Sequence, residues 1–127
     1  MQNGSQLPYY TVSGSVSLPK GIYIPAENNG VSVLEIEEGG FSGKVMTSVD
    51  IPAGVVTIGD SAFNRCYYLS KVYIPYSVTS IGSKAFANCI LTKIYFSGTL
   101  EQWNAIEKAS DWDKGVITVP EIICIGE

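Results

Sequence analysis

The side chains best able to do covalent or metal chemistry in this chain are its three cysteines, Cys66, Cys89 and Cys124. A thiolate serves as a nucleophile or a metal ligand, but the common sites of both kinds pair it with histidine, and the chain has none. The cysteines also lack the Cys-x-x-Cys spacing of the usual zinc sites. We expect buried free thiols that pack as small apolar groups, with a disulfide or a metal site as the alternative.

Two pairs of carboxylates, Glu35 with Glu37 and Asp111 with Asp113, have the residue types for acid–base catalysis. The first pair flanks an isoleucine, the alternation of a solvated strand edge. The second pair encloses a tryptophan and fits a turn, since a calcium loop needs more regularly spaced oxygen ligands. A Ser-His or Cys-His pair is impossible without histidine, and Gly39-Gly40 lacks the lysine of a phosphate loop. The sequence therefore predicts no enzyme, no cofactor and no metal site.

Two of the cysteines lie at the same position of an internal repeat, which must position every other side chain. Residues 55–66 read VVTIGDSAFNRC and residues 78–89 read VTSIGSKAFANC, offset by 23 positions, as Phe63 and Phe86 show (86 − 63). A fixed period of this length indicates stacked structural units, each of which contacts only its neighbours. The repeat therefore predicts a short solenoid, which offers a surface rather than an enclosed reaction chamber.

One coil of the predicted solenoid divides into elements by its apolar pattern. Residues 69–75 alternate apolar and polar, which indicates a strand with one buried face, and a proline ends it. Two apolar anchors and a glycine turn follow at residues 78–82. Ala85 and Phe86 then face the core from a helical or 3₁₀ turn. An eroded copy of the same elements occupies residues 33–52, where a glutamate replaces the glycine.

The ends of the chain depart from this pattern. Residues 9–17 alternate weakly and predict an N-terminal capping strand. Thr99 and Gln102 form a capping box, in which the threonine accepts from the amide three residues on and the glutamine reaches back. Apolar runs at residues 116–119 and 122–125 predict two further strands. We expect the helix after the capping box to bury one face, made of Leu100, Trp103 and Ile106.

Composition agrees with one small domain. The 127 residues are 46% hydrophobic and 16% charged, enough to build a core, and a net charge of −4 argues against a nucleic-acid partner. No apolar run approaches the roughly 18 residues that cross a membrane, and no signal peptide opens the chain. We expect a single domain over residues 1–127, with a cap and partial coil in 1–30, about three coils in 31–98 and a cap in 99–127.

Residues 74–89, Ile-Pro-x-x-Val-Thr-x-Ile-Gly-x-x-Ala-Phe-x-x-Cys, resemble the BspA-like leucine-rich repeats. Residues 98–106, GTLEQWNAI, are similar to the block that often ends arrays of that family, and Ile24-Pro25 with Asn29-Gly30 resembles its usual opening. The resemblance implies a β-rich α/β solenoid, a short right-handed leucine-rich-repeat stack with parallel strands. It also implies a non-catalytic module of a bacterial surface or secreted protein, used for adhesion or protein binding.

Stacked coils place the outward-facing strand residues in columns, and solenoids usually bind partners on such a face. Tyrosine offers a large contact area with a polar tip, so we predict that a protein partner binds here. The alternative is that the tyrosines only pack across neighbouring strands. The candidate residues are Tyr23, Ser48, Asp50, Lys71, Tyr73, Lys93 and Tyr95.

Two expectations depend on the resemblance and stay open at this point. It implies an extracellular or cell-surface protein, although the missing signal peptide leaves a cytoplasmic or virion origin open. The second functional hypothesis is a structural spacer, or a phage or other assembly component, with no ligand of its own.

Overall fold

The computed structural model describes residues 10–12, 21–23, 27–28 and 31–126, with side chains from residue 34 onward. Within these residues the chain winds as a solenoid whose coils have three sides. Two sides are parallel β-sheets, and the third is a stack of tight turns. The fold class expected from the repeat, a short β-rich leucine-rich-repeat stack, is confirmed.

We call the two sheets the front sheet and the back sheet. The front sheet consists, in chain order, of β2 (Gly21–Tyr23), β5 (Ser48–Asp50), β7 (Lys71–Ile74), β9 (Lys93–Phe96) and β11 (Glu121–Cys124). The back sheet consists of β1 (Tyr10–Val12), β4 (Val31–Ile36), β6 (Thr57–Ile58), β8 (Ser80–Ile81) and β10 (Glu107–Lys108), with β3 (Glu27–Asn28) antiparallel on β4. The helix α1 (Leu100–Ala105) lies in the chain between β9 and β10.

The front sheet has the register that the repeat predicts. Val49 pairs with Val72 and Val72 with Ile94, and all three side chains are fully buried. Because side chains alternate across a strand, the residues on either side of this column point to solvent. The expected inward column and the expected exposed face are both confirmed.

The side made of turns is held by backbone hydrogen bonds between coils and by a stack of rings. The Phe63 N–H donates to the Ala85 carbonyl (2.7 Å), and the Phe41 N–H makes the same contact with Ala62 (2.7 Å). The rings of Phe41 and Phe63 stack at 5.2 Å, and those of Phe63 and Phe86 at 5.1 Å. The large core residues of successive coils therefore lie directly above one another.

These turns are neither α nor 3₁₀ helices, as the sequence had suggested, because two residues in each are left-handed. Ser61 and Arg65 have φ of 57° and 64°, and Lys84 and Asn88 repeat the pair at 58° and 62°. Two left-handed residues within five interrupt helical geometry. The chain therefore closes each coil through a compact turn that carries no helix dipole.

The prediction of one strand per coil was wrong, because each coil also adds a strand to the back sheet. The segments predicted only as apolar anchors before a glycine form β6 and β8, which pair with each other through Thr57–Ser80 and Ile58–Ile81. Gly59 lies so close to the previous coil that a Cβ atom would be 2.7 Å from the Ile36 carbonyl oxygen. Glycine is required here by close approach between coils.

The C-terminal segment continues the solenoid instead of leaving it. β10 pairs with β8 and β11 pairs with β9, both parallel, so the last coil repeats the path of the others with a longer offset (107 − 80 = 27; 121 − 93 = 28). The strand expected at residues 116–119 is absent, whereas the one expected at residues 122–125 corresponds to β11.

The capping box is confirmed at the start of α1: the Gln102 N–H donates to Thr99 Oγ1 (3.1 Å), and the Thr99 N–H donates to Gln102 Oε1 (2.9 Å). Trp103 is buried as expected, but Leu100 is 49% exposed, so the helix buries a narrower face than predicted. At the other end, Lys108 Nζ donates to the Trp103 carbonyl (3.0 Å) and lies over its ring. Partial burial of this ammonium lowers the pKa of Lys108.

Candidate functional site

The front sheet presents the predicted site residues in two aligned columns. One column contains Ser48, Lys71 and Lys93, and the other contains Asp50, Tyr73 and Tyr95. The backbone of Tyr23 pairs with Asp50, which places it at the next position of the second column; its side chain lies outside the described set. β11 extends both columns by one residue each, Glu121 and Ile123, which the sequence analysis did not include.

Tyr73 and Tyr95 form a stacked pair on this face. Their ring centroids are 4.6 Å apart and their planes differ by 10°. Tyr73 remains 40% exposed and Tyr95 is half-buried. Because each ring is attached to a strand inside a sheet, and each restricts the other, the pair is a rigid aromatic surface that needs little ordering when a partner binds.

A groove of about 260 Å³ runs beside this pair. It lies at the carboxyl ends of β5, β7 and β9. Three of the predicted site residues line it, Asp50, Tyr73 and Tyr95, whereas Ser48, Lys71 and Lys93 lie outside it. The other lining residues were not predicted as part of a site: Ile51, Ala53, Ile74, Pro75, Ser97 and Ile125.

The lysine column has a different electrostatic character. Lys71 and Lys93 are cross-strand neighbours, and like charges in that arrangement repel each other. Glu121 follows Lys93 in the same column and supplies an opposite charge at its other side. The front sheet therefore carries a mainly basic column next to an aromatic column that begins with an acid.

The cysteines do not form a chemical site. Cys66 and Cys89 are buried, and their thiols donate to the carbonyl oxygens of Phe41 (3.0 Å) and Phe63 (3.1 Å) in the preceding coil. Burial raises the pKa of Cys66 to about 11 and that of Cys89 to about 12. Both stay protonated near neutral pH, and a protonated thiol is neither a nucleophile nor a metal ligand.

The expectation of buried free thiols is confirmed for Cys66 and Cys89, whereas Cys124 is free but only partly buried. No group of three or more side chains of the metal-binding types occurs in the part of the chain that the structure describes. Among the same residues, none of the helices has the length and apolar character needed to cross a membrane.

A second exposed surface, which we call the corner stripe, was not found from the sequence. Its residues follow the left-handed turn position of successive coils by two, and they are Val45, Tyr67, Ile90 and Ile117. Ile117 is 90% exposed, and the neighbouring Tyr68 and Val119 are also exposed. The four have the constant offset of the coils, so an alignment of the turns, rather than of the strands, is what reveals them.

Comparison with known proteins places the fold in a recognised group. A family model described as the BspA type leucine-rich repeat region matches residues 26–107 in six copies. A leucine-rich repeat protein from Bacteroides ovatus ATCC 8483, solved by crystallography, is 27% identical with a TM-score of 0.65, over 96% of this chain and 34% of that one. A leucine-rich cell surface protein from Faecalibacterium prausnitzii A2-165 is 28% identical with a TM-score of 0.51, over 74% and 36%.

The chain spans about a third of the length of these two solved proteins. No curated protein matches it.

Proposed function

The chain belongs to the BspA-type leucine-rich repeat family, and we propose that it is a non-catalytic module that binds a protein partner through its front sheet. The observation that carries this proposal is the stacked, exposed pair of Tyr73 and Tyr95 beside the groove. Tyrosine is enriched at protein interfaces because its ring buries a large area while its hydroxyl stays hydrogen-bonded. The rest of the molecule has no reactive thiol, and no histidine is available for acid–base work.

The shape of the site also favours a protein partner over a small molecule. A volume of about 260 Å³ lies below the usual range of small-molecule pockets, roughly 300–1,000 Å³. A groove of this size suits one or two side chains of a larger partner, while the flat strand surface around it supplies the remaining contact. The partner would meet strands that are already fixed in a sheet, so it needs no rearrangement of the solenoid.

We further propose that the module acts at the bacterial cell surface or in secreted form. The support is the description of the Faecalibacterium relative as a cell surface protein, together with the shared repeat. Adhesion is the activity that follows if the partner is a protein on another cell or on a host surface.

The proposal is tested by probing the intact chain on an array of cell-surface and extracellular proteins. The test variant is Tyr73→Ala with Tyr95→Ala, and the matched control is Tyr67→Ala with Tyr68→Ala, which removes two equally exposed tyrosines from the corner stripe. We expect the first pair to abolish binding and the second to preserve it, with both variants folded by circular dichroism.

Two results would decide against binding by the front sheet. A partner whose binding survives the Tyr73/Tyr95 change but fails with the Tyr67/Tyr68 change would move the site to the corner stripe. An array on which the folded chain binds nothing would favour the second hypothesis, a structural spacer or assembly component.

A further inference from the structure

The exposed ring face of Tyr73 is the part of the groove with the most specific chemistry. Tyr95 stacks on one face of this ring, on the side of β9. The opposite face is directed toward β5, where Asp50 occupies the register position next to Tyr73. Adjacent strands are about 4.8 Å apart, so an aromatic face and a carboxylate lie on two sides of one small space.

Charge singles out Asp50 among the residues of the groove. It is exposed, and it is the one residue lining the groove that carries a formal charge. The remaining walls are aliphatic and aromatic, apart from the Ser97 hydroxyl, which accepts a hydrogen bond from the Tyr76 N–H (2.8 Å). A ligand group that fits this space must therefore be positively charged, planar enough to stack, and attached to something apolar.

We propose that the groove binds an arginine side chain of an extended protein segment, with the guanidinium stacked on the free face of Tyr73 and paired with Asp50. This inference rests on the proposed function and specifies its ligand. Arginine suits the space better than lysine, because its flat guanidinium stacks on a ring and donates two parallel hydrogen bonds to a carboxylate.

The apolar part of the groove takes a second side chain of the same segment. Residues i and i+2 of an extended peptide are about 6.6–6.8 Å apart on one face, which spans from the Asp50 position to the far side of Tyr73. We therefore expect an apolar residue two positions from the arginine to lie against Pro75 and Ile125. The strands beneath are already paired on both sides, so recognition is by side chains and not by strand addition.

The inference is tested by selecting a displayed library of random linear peptides against the intact wild-type chain. We expect the selected peptides to share an arginine with an apolar residue two positions away. One synthetic peptide from the selection is then measured by calorimetry. Asp50→Asn should weaken its binding about 10- to 100-fold, the usual effect of losing one charge-assisted hydrogen-bonded pair. Glu38→Gln, which neutralises an exposed carboxylate beyond β4, is the matched control and should leave binding unchanged.

A double-mutant cycle makes the assignment specific. Replacing the peptide arginine by glutamine should cost nothing further once Asp50 is asparagine, because the two groups form one interaction. Peptides that need Tyr73 and Tyr95 but show no arginine, or are indifferent to Asp50→Asn, would overturn the arginine site and leave the binding function standing. A selection that yields no peptide for the groove would also overturn this inference, while the protein array decides the proposed function separately.

Discussion

Replacing Phe63 by alanine tests the register of the whole solenoid. The Phe63 ring lies between those of Phe41 and Phe86, with centroid distances of 5.2 and 5.1 Å and planes within 5° and 3° of parallel. Its side chain is fully buried. A stack of this kind exists only if the three coils have the alignment described above, so its energy is a measure of that alignment.

The size of the effect follows from burial and from the number of ring contacts. Truncating a buried phenylalanine to alanine lowers the free energy of unfolding by about 3–5 kcal/mol. Each ring pair contributes about 0.5–1.5 kcal/mol of this beyond burial. Phe63 stacks on two rings, whereas Phe41 stacks on Phe63 alone among the described residues. We expect Phe63→Ala to cost about 4–5 kcal/mol, and Phe41→Ala to cost less by about one ring pair.

Urea unfolding followed by tryptophan fluorescence measures the loss, because the Trp112 ring packs edge-on against Phe86 at 6.1 Å and reports on the stack. Phe63→Leu is the matched control, since it restores most of the volume without a ring and separates stacking from the cavity. A loss below about 1 kcal/mol for Phe63→Ala, within the range of surface substitutions, would refute the register. So would a Phe41→Ala cost equal to that of Phe63→Ala.

Three further predictions concern the contacts between coils and at the cap. Gly59→Ala places a Cβ atom 2.7 Å from the Ile36 carbonyl oxygen, so we expect it to lower stability by about 1–3 kcal/mol in thermal unfolding followed by circular dichroism. Thr99→Ala removes the oxygen that accepts from the Gln102 N–H and should cost about 1 kcal/mol in the same assay, whereas Thr99→Ser should retain stability. Burial raises the pKa of Cys66 to about 11 and of Cys89 to about 12, so above pH 9 the thiols ionise in the unfolded chain first. Stability should therefore be complete below pH 9 and fall above it by about 1.4 kcal/mol per pH unit for each thiol, a slope that urea unfolding should find absent in the Cys66→Ala, Cys89→Ala variant.

The columns of the core could be predicted from the sequence because two periods coincide. Within a strand, alternation places Val72 and Ile74 on the same side, and the 23-residue offset places each of them above its counterpart in the next coil. Two independent regularities then determine the same buried set, including the stacked Phe63 and Phe86. The outward column of Tyr73 and Tyr95 followed from the same reasoning.

The back sheet escaped prediction because its inner strands are too short to show a period. β6 and β8 have two residues each, and two residues cannot display alternation. Their pairing depends on backbone hydrogen bonds between coils, such as that from the Gly59 N–H to the Ile36 carbonyl (2.8 Å), which carry no sequence signal beyond the glycine itself.

The last coil and the groove escaped prediction for a different reason, which is the use of segments that the repeat does not describe. The final coil is longer by the residues that include α1, so a search at an offset of 23 does not find it, although β11 returns to full register with β9. The groove combines side chains from the strands with Ala53, Pro75 and Ile125, which lie in connections between elements. Such a site is visible only when the connections have been placed.

The repeat acts on the surface by the same geometry that it imposes on the core. A constant offset brings Phe63 above Phe86 inside the coil, and it must equally bring Tyr73 beside Tyr95 outside it, because both pairs belong to the same two coils. A one-residue change in the length of either coil would break the ring stack in the core and the tyrosine pair together. The aromatic surface is therefore rigid for the reason that the core is stable, and a substitution that shifts the register should reduce binding and stability in parallel. Changes to the exposed tyrosines alone should separate the two.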